Sequence, residues 1–291
     1  MHVLITGGTG FIGQALQTYL VKAGHEVRIL SRKSGWDVVN QTMDPRELDG
    51  IDAIVHLAGA GIADKRWSIA RKKELISSRV DSTRLLARVL RTEKHQVHTF
   101  VSASAIGYYG ADSGQKTCVE STDSGADFLA ECTRAWEDAV DEITGLRVVK
   151  LRIGLVMERE GGIFPVLALP IRMFAGFILG DGNQGQSWIH RDDLVRMFAQ
   201  ALTDERAAGV YNAVAPEPLT HAAMTREIAG ALHRPVWWPH VPAFMLRLIL
   251  GEMACLVTGG NFVSSQKIQN ELGFTFTYKR FSEAIKQLVH V

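Results

Sequence analysis

Short apolar runs alternate with amphipathic segments over the first 150 residues of the chain. Such runs are typical of buried strands in a parallel sheet, and amphipathic segments are typical of the helices that connect them. The predicted strands are 2–6, 26–30, 52–58, 98–104 and 146–154, and the predicted helices are 11–23, 68–92 and 127–143. This alternation predicts an α/β fold with a doubly wound parallel sheet.

The second half of the chain shows fewer strand patterns and more helical ones. Helices are predicted at 191–202, 220–232, 243–256, 265–272 and 280–289, with extended pieces at 209–214 and 274–278. We interpret this half as a smaller, mainly helical C-terminal lobe that is interleaved with the first. The first domain is then placed at 1–160, with 186–215 contributing to it, and the smaller lobe at 161–185 and 216–291.

Residues 163–180 are apolar for about the length that a bilayer requires. However, Pro165 and Pro170 interrupt helical hydrogen bonding, and Arg172 would lie near the bilayer centre at a cost of roughly 3 kcal/mol. The segment is therefore predicted to be buried or to line a cleft, and not to span a membrane.

The amino-acid composition argues against several classes of function. Lys and Arg number 32 and Asp and Glu number 31, and a net charge of +1 argues against binding nucleic acid or a membrane through bulk charge. Cys118, Cys132 and Cys255 lie far apart, without the spacing of a zinc site or a disulfide framework. No signal-peptide pattern precedes the first strand. We expect a reduced cytoplasmic protein with no metal ion, no nucleic-acid partner and no membrane partner.

The strongest motif follows the first predicted strand. Gly7, Gly10 and Gly13 fall in TGGTGFIG (6–13), between that strand and a helix. One glycine permits a tight turn, another lets backbone N–H groups reach a pyrophosphate, and the third lets helix and strand pack closely. The motif predicts a dinucleotide site in a Rossmann-type fold. The alternative is a glycine-rich turn without a ligand.

The end of the second predicted strand bears on the choice of coenzyme. An NAD-preferring site usually places Asp or Glu there, on the ribose 2′-hydroxyl, whereas this chain has Ser31, Arg32 and Lys33. A charge-assisted bond of roughly 1.5–3 kcal/mol to a 2′-phosphate corresponds to a preference of about tenfold to a hundredfold. The sequence predicts NADP(H) in preference to NAD(H), and solvated surface cations are the alternative.

Several further segments together resemble an extended short-chain dehydrogenase/reductase. They are TGGTGFIG, DAIVHLAG (52–59), FVSASAIGYYG (100–110), LRIGLV (151–156), WIHRDDL (188–194) and GVYNAVAPEPLT (209–220). The RW at 66–67, the YYG at 108–110 and LGEMACLVTGG (250–260) are similar to an atypical NAD(P)-dependent sugar-nucleotide epimerase-like subgroup with a C-terminal domain of unknown function. The resemblance covers nearly the entire chain and implies a C-terminal substrate lobe.

The resemblance also implies where the cofactor binds. The implied residues are Gly7, Thr9, Gly10, Phe11, Ile12 and Gly13 at the pyrophosphate, Ser31 and Arg32 at the 2′-phosphate, Ala58 and Gly59 at the ribose, and Ile153 and Val156 beside the nicotinamide. Ala58 and Gly59 could instead be small for packing alone. Glu74 and Arg79 lie on the long predicted helix, where one or both would face the cofactor; a surface ion-pair helix is the alternative.

The catalytic pattern of the family is incomplete here. Its hydride-transferring members share a Ser or Thr and a Tyr-x-x-x-Lys, whose lysine lowers the pKa of the tyrosine. Ser104 fits the first place, but the window 127–137 holds neither tyrosine nor lysine, and Arg79 stands where an Asn is expected. Tyr108 or Tyr109 is a candidate replacement acid, with aromatic packing as the alternative. 

Two function classes follow from these residues. In the first, the protein is an NADP(H)-dependent oxidoreductase or sugar-nucleotide epimerase-like enzyme, a monomer or homodimer, acting on a small-molecule substrate such as a nucleotide sugar. In the second, it binds NADPH without turnover and acts as a sensor or regulatory protein. His56, inside an apolar strand, is interpreted as a core imidazole and not as a base.

Overall fold

The computed structural model describes residues 1–31 and 35–289, so the predicted 2′-phosphate residue Arg32 lies outside the described residues. The strands are β1 His2–Thr6, β2 Glu26–Leu30, β3 Trp36–Asp37, β4 Thr42–Met43, β5 Ala53–His56, β6 Thr99–Ala105, β7 Thr117–Cys118, β8 Arg147–Ile153, β9 Leu155–Glu158, β10 Gly161–Gly162, β11 Phe177–Leu179, β12 Gly185–Gln186, β13 Trp188–His190, β14 Gly209–Ala213, β15 Leu219–Thr220, β16 Trp237–Val241 and β17 Phe262–Val263. The helices are α1 Phe11–Lys22, α2 Ile69–Thr92, α3 Phe128–Asp141, α4 Phe164–Arg172, α5 Arg191–Thr203, α6 His221–Ala231, α7 Ala243–Leu250, α8 Cys255–Thr258, α9 Gln266–Leu272 and α10 Phe281–Val289. Short 3₁₀ helices span Pro45–Leu48, Ile106–Tyr109 and Gly251–Ala254.

The central sheet has six strands in the order β14-β8-β6-β5-β1-β2. The pairs β1–β2, β1–β5 and β5–β6 are parallel, and β5 is buried along its whole length. These strands confirm the predicted Rossmann-type α/β fold. The chain order reverses between β1 and β5, and ligands of open α/β sheets bind at the carboxyl ends of strands at such a reversal.

The chain divides into two compact units. The first comprises Met1–Ala105, Glu131–Arg152 and Val195–Tyr211, and the second comprises Ile106–Ala130, Ile153–Leu194 and Asn212–Val291. In the second unit, Trp188 packs edge-on against Phe281 at 5.1 Å, within a core to which α4, α6 and α10 contribute. The predicted division into a cofactor domain and a substrate lobe is a functional one and stays a prediction.

One predicted element of the second half is wrong, and another forms no regular structure. Residues 274–278, predicted as an extended piece, belong to no strand; the backbone N–H groups of Thr277 and Tyr278 donate to the Asp193 carboxylate, both at 2.9 Å. The helix predicted over 243–256 ends at Leu250, because Gly251 has a φ of 61° and leaves the helical region. The hydrogen bonds to Asp193 and the positive φ of Gly251 determine the backbone conformation at these two positions. Neither feature is visible in the pattern of apolar residues along the chain.

The apolar segment 163–180 is only partly buried. It forms α4 and β11, and Phe164, Ala168 and Ile171 are buried, whereas Val166 and Leu169 are exposed. One side of α4 is therefore buried as predicted, because only one side of a helix meets the core, and the cleft-lining alternative stays a prediction for the exposed side. Among the described residues, no helix has both the length and the apolar character needed to cross a membrane.

Candidate functional site

A cavity of about 730 Å³ lies in the first compact unit, at the carboxyl ends of β1, β2 and β5. Of the residues predicted to bind the cofactor, those that line it are Gly7, Thr9, Gly10, Ser31, Ala58, Gly59 and Glu74. The volume lies in the range of ordinary small-molecule and cofactor sites. The structure thus brings together residues from four separate stretches of sequence around one cavity.

Other predicted residues lie beside this cavity or elsewhere. Phe11 and Ile12 begin α1 and are half-buried, and Gly13 is buried in the same helix. The Arg79 guanidinium lies over the Trp136 ring at 5.2 Å. Ile153 belongs to the second compact unit, as does Val156, and their place beside a nicotinamide stays a prediction.

The glycine turn after β1 leaves no room for a side chain at Gly7 or at Gly13. A Cβ on Gly7, which has a φ of +69°, would lie 2.8 Å from the carbonyl carbon and oxygen of Leu57. A Cβ on Gly13 would lie 2.5 Å from the Gly7 carbonyl oxygen. The turn is closed by the Gly10 N–H, which donates to the Gly7 carbonyl oxygen at 3.0 Å. Bare backbone at the start of a helix fits a pyrophosphate.

His56, the last residue of β5, is hydrogen-bonded to both β1 and α2. Thr83 and Ser82 on α2 donate their hydroxyl protons to backbone carbonyl oxygens, at 2.7 and 2.8 Å, so both accept from His56 Nε2, at 3.0 and 3.3 Å. His56 Nδ1 then accepts from the Thr6 hydroxyl at 2.7 Å. These partners assign a neutral imidazole protonated at Nε2, and they support the core role predicted from the sequence.

This histidine should make stability depend on pH. Burial, followed by repulsion from the Arg79 cation, lowers the pKa of His56 from 6.5 to about 3. Unfolding at intermediate pH therefore takes up a proton, so the free energy of unfolding should fall as pH decreases from 6.5 towards 3, by about 1.4 kcal/mol per pH unit for this group. Urea titrations at several pH values measure the slope.

The matched variant for that titration is His56→Gln, which removes the ionisable group. In this variant, the free energy of unfolding should change less steeply with pH, by about 1.4 kcal/mol per pH unit, which corresponds to one proton. His221, whose pKa burial lowers to about 4, stays in both proteins and cancels in the comparison. Equal slopes in the two proteins would contradict the assignment.

The segment between β5 and α2 is held by Arg71, which sequence reasoning missed. Its buried guanidinium donates to the Gly61 carbonyl oxygen at 2.5 Å and pairs with Glu74 at 2.8 Å. The Ala60 N–H donates to Ser78 Oγ at 3.1 Å, which ties the same segment to α2. The hydrogen bond from Arg71 lowers the pKa of Glu74, so Glu74 both lines the cavity and forms an ion pair.

The charges on the described cavity wall do not by themselves favour an anion. The charged residues that line it are Asp64, Lys65, Arg71, Glu74 and Asp81, and two cations minus three carboxylates gives −1. Trp36, Val38 and Val39 add an apolar wall near the end of β2. A doubly charged 2′-phosphate would therefore depend on cations supplied directly after β2.

Ser104 lies buried at the carboxyl end of β6 and is hydrogen-bonded to a carboxylate. Its hydroxyl donates to Glu137 Oε1 at 2.5 Å, and Arg152 grips the same carboxylate through two bonds of 2.8 and 2.9 Å. Lys150 Nζ lies 4.0 Å from Glu137 Oε2 and pairs more closely with Asp141. This arrangement commits the Ser104 proton to Glu137, and the catalytic role of Ser104 stays a prediction.

The two candidate tyrosines lie in the second compact unit. Tyr109 is buried, and its hydroxyl donates to Asn212 Oδ1 at 2.6 Å. Tyr108 is half-buried, and its ring meets that of Tyr109 edge-on at 5.6 Å. Both contacts favour the aromatic-packing alternative, most clearly for Tyr109, and a role for either phenol as an acid stays a prediction.

The start of α3 carries Cys132 and Thr133 within the window that lacks tyrosine and lysine. Cys132 and Thr133 are buried there, and burial raises the pKa of the Cys132 thiol, so the thiol stays neutral near pH 7. Within residues 1–31 and 35–289, no group of three or more His, Cys, Asp or Glu side chains could hold a metal ion.

Comparison with known proteins places this chain in a family. A model described as the NAD dependent epimerase/dehydratase family matches residues 3–132, and the domain of unknown function DUF1731 matches residues 241–288. Epimerase family protein YfhF from Bacillus subtilis (strain 168) is 36% identical, with 99% of this chain and 98% of that protein covered. The chain belongs to the NAD-dependent epimerase/dehydratase family, as its motifs predict.

Two solved structures are similar along the whole chain. The human epimerase family protein SDR39U1, solved with NADPH, has a TM-score of 0.88 and 31% identity, with 99% of both chains covered. A nucleoside-diphosphate sugar epimerase from Corynebacterium glutamicum has a TM-score of 0.82 and 34% identity, with all of this chain but 58% of that protein covered. Both likenesses agree with the fold described above.

Proposed function

We propose that the chain binds NADP(H) in the 730 Å³ cavity and acts as an NADP(H)-dependent oxidoreductase or sugar-nucleotide epimerase-like enzyme. The carrying observation is that Gly7 and Gly10, Ser31, and Ala58 with Gly59 line one cavity at the reversal of the sheet. The human relative solved with NADPH supports the coenzyme, and the Corynebacterium relative supports a nucleotide sugar as substrate. A small-molecule substrate, a cytoplasmic location and a monomer or homodimer belong to the same proposal.

Each part of the cavity wall would bind a different part of the coenzyme. The glycine turn with Thr9 would hold the pyrophosphate, Ser31 with Arg32 the 2′-phosphate, and Ala58 with Gly59 the ribose. The bound nicotinamide would accept or supply a hydride, and the chain would orient it. Glu74 would keep Arg71 in place, so that the segment after β5 keeps its shape against the ligand.

Coenzyme choice is tested by Arg32→Ala. Because the described wall carries more acids than bases, the variant should bind NADPH about tenfold to a hundredfold more weakly. NADH has no 2′-phosphate, so its affinity should change much less. Calorimetric titration with both coenzymes measures the two changes, and equal losses would count against the assignment.

The enzymatic role is tested in two stages. Coenzyme fluorescence first establishes NADPH binding, and the oxidation of NADPH is then followed with a panel of small carbonyl compounds. Because an epimerase regenerates its coenzyme in each turnover, nucleotide sugars are incubated with the oxidised coenzyme and the formation of the epimer is measured. If Ser104 takes part in the chemistry, Ser104→Ala should lower the rate by about a hundredfold or more while NADPH still binds. Activity that survives this substitution unchanged removes Ser104 from the mechanism.

A second candidate function is an NADPH sensor without turnover. It is favoured by the Ser104 proton held on Glu137, by the Tyr109 hydroxyl held on Asn212, and by the lack of Tyr and Lys in 127–137. Tight coenzyme binding with neither NADPH oxidation nor epimer formation across the whole panel would favour this function over the enzyme.

A further inference from the structure

The second compact unit presents a concentrated apolar surface. Sixteen large apolar side chains are exposed in the described part of the chain, and eleven of them fall within 166–177 and 237–249. Of these eleven, the most exposed are Trp238 at 85% and Leu248 at 81%. Scattered exposed apolar residues are ordinary, but a cluster of this kind marks an interaction surface. We call the exposed side chains of these two segments the apolar face.

The two segments are joined by backbone pairing. The β11 strand pairs with β16, and the Trp237 N–H donates to the Gly176 carbonyl oxygen at 2.8 Å. The Trp237 indole N–H donates to the Phe174 carbonyl oxygen, also at 2.8 Å. Helix α7 begins two residues after β16, and Leu246 is its one buried side chain, so most of its apolar side chains are also exposed.

The charges of these segments are all positive. Residues 161–180 and 228–251 contain no Asp or Glu, and acids flank both stretches directly, at Glu160, Asp181, Glu227 and Glu252. The cations are Arg172, Arg234 and Arg247. The Arg234 guanidinium lies 4.4 Å from the Phe174 ring centroid, so one of these charges sits directly on the apolar face.

We propose that the apolar face docks on a bilayer surface that contains anionic lipids. Exposed Trp and Phe beside Arg is the combination that favours the boundary between headgroups and acyl chains. A second copy of the chain on the same face would bring the arginines of both copies together, which is unfavourable. The helix α7, with eight residues, is about 12 Å long and would lie at the surface.

This docking is compatible with a net charge of +1, because attraction to lipid depends on charge within about 10 Å of the surface. In the sequence, the net charge argues against binding through bulk charge, which averages over both compact units, and Pro165, Pro170 and Arg172 argue against a spanning helix; neither bears on a local docking surface. Each segment lacks acids in its own sequence, and the pairing of β11 with β16 brings the two segments together. The proposal does not rest on coenzyme binding, and its failure would leave that function untouched.

Vesicle co-sedimentation of the full chain tests the proposal. The wild-type protein should sediment with vesicles of phosphatidylcholine and phosphatidylglycerol, and less with phosphatidylcholine alone or at high salt. Trp238→Ser and Leu248→Ser should each weaken partitioning at least about tenfold. Arg172→Gln and Arg247→Gln should each weaken binding to the anionic vesicles about fivefold and leave the neutral ones nearly unchanged.

The control is Ile69→Ser, the same kind of change at a 91% exposed residue outside the apolar face, and it should sediment like the wild type. Circular dichroism checks that every variant is folded. Wild-type protein that stays in the supernatant, or that binds both vesicle types equally, overturns the proposal. A soluble dimer in light scattering that Leu248→Ser dissociates would also overturn it, in favour of a second copy as the occupant.

Discussion

Gly7→Ala is expected to weaken NADPH binding by about a hundredfold or more, since a clash and a strained backbone each cost about 1–3 kcal/mol. The added Cβ would lie 2.8 Å from the Leu57 carbonyl group and 2.9 Å from the Ala58 nitrogen. Those atoms are backbone at the end of β5, so they cannot rotate away. Relief requires the turn to move off β5, and the N–H groups that would meet the pyrophosphate move with it. Calorimetric titration with NADPH measures the loss.

Gly24→Ala is the matched control for this prediction. Gly24 also has a positive φ, of +84°, but its Cβ would meet nothing within 4 Å. Gly24→Ala should therefore lower the free energy of unfolding by only about 1 kcal/mol, because of the left-handed backbone, and leave the affinity for NADPH unchanged. If Gly7→Ala binds NADPH as well as Gly24→Ala does, the glycine turn is not the coenzyme site and the proposed function fails with it.

Arg152→Met should lower the free energy of unfolding by about 3–5 kcal/mol, because it leaves a buried carboxylate without its main partner. Glu137 would keep the hydrogen bond from Ser104, and Lys150 at 4.0 Å is too distant to replace two bonds below 3 Å. Urea unfolding followed by circular dichroism measures the change.

An exposed ion pair in the same compact unit provides the comparison. Arg84 contacts Glu142 at 2.7 Å, but both side chains are about half exposed, so Arg84→Met should cost about 0–1 kcal/mol. Similar losses from Arg152→Met and Arg84→Met would show that burial does not make the Glu137 pair important. A stable Arg152→Met protein would also weaken the view that Ser104 is held in a structural network.

Much of the cavity was predictable because its parts are local. The glycine turn, Ser31 and the Ala58–Gly59 pair each follow a strand directly, and parallel strands bring their carboxyl ends to one edge of the sheet. Arg71 was not predictable in this way. In the run RKKE it is indistinguishable from a solvated helix face, and only folding of the segment after β5 places the Gly61 carbonyl oxygen against its guanidinium.

By itself, the sequence determined the α/β fold, the family and the position of the glycine turn, since strand and helix periodicity and glycine spacing are properties of neighbouring residues. The hydrogen bond from Ser104 to Glu137, 33 positions away, and the exposure of one face of 163–180 follow from the three-dimensional fold. Hydrogen-bond partners and burial depend on contacts between residues that are distant in the sequence. The pattern of residues along the chain specifies the order of the elements but not these contacts.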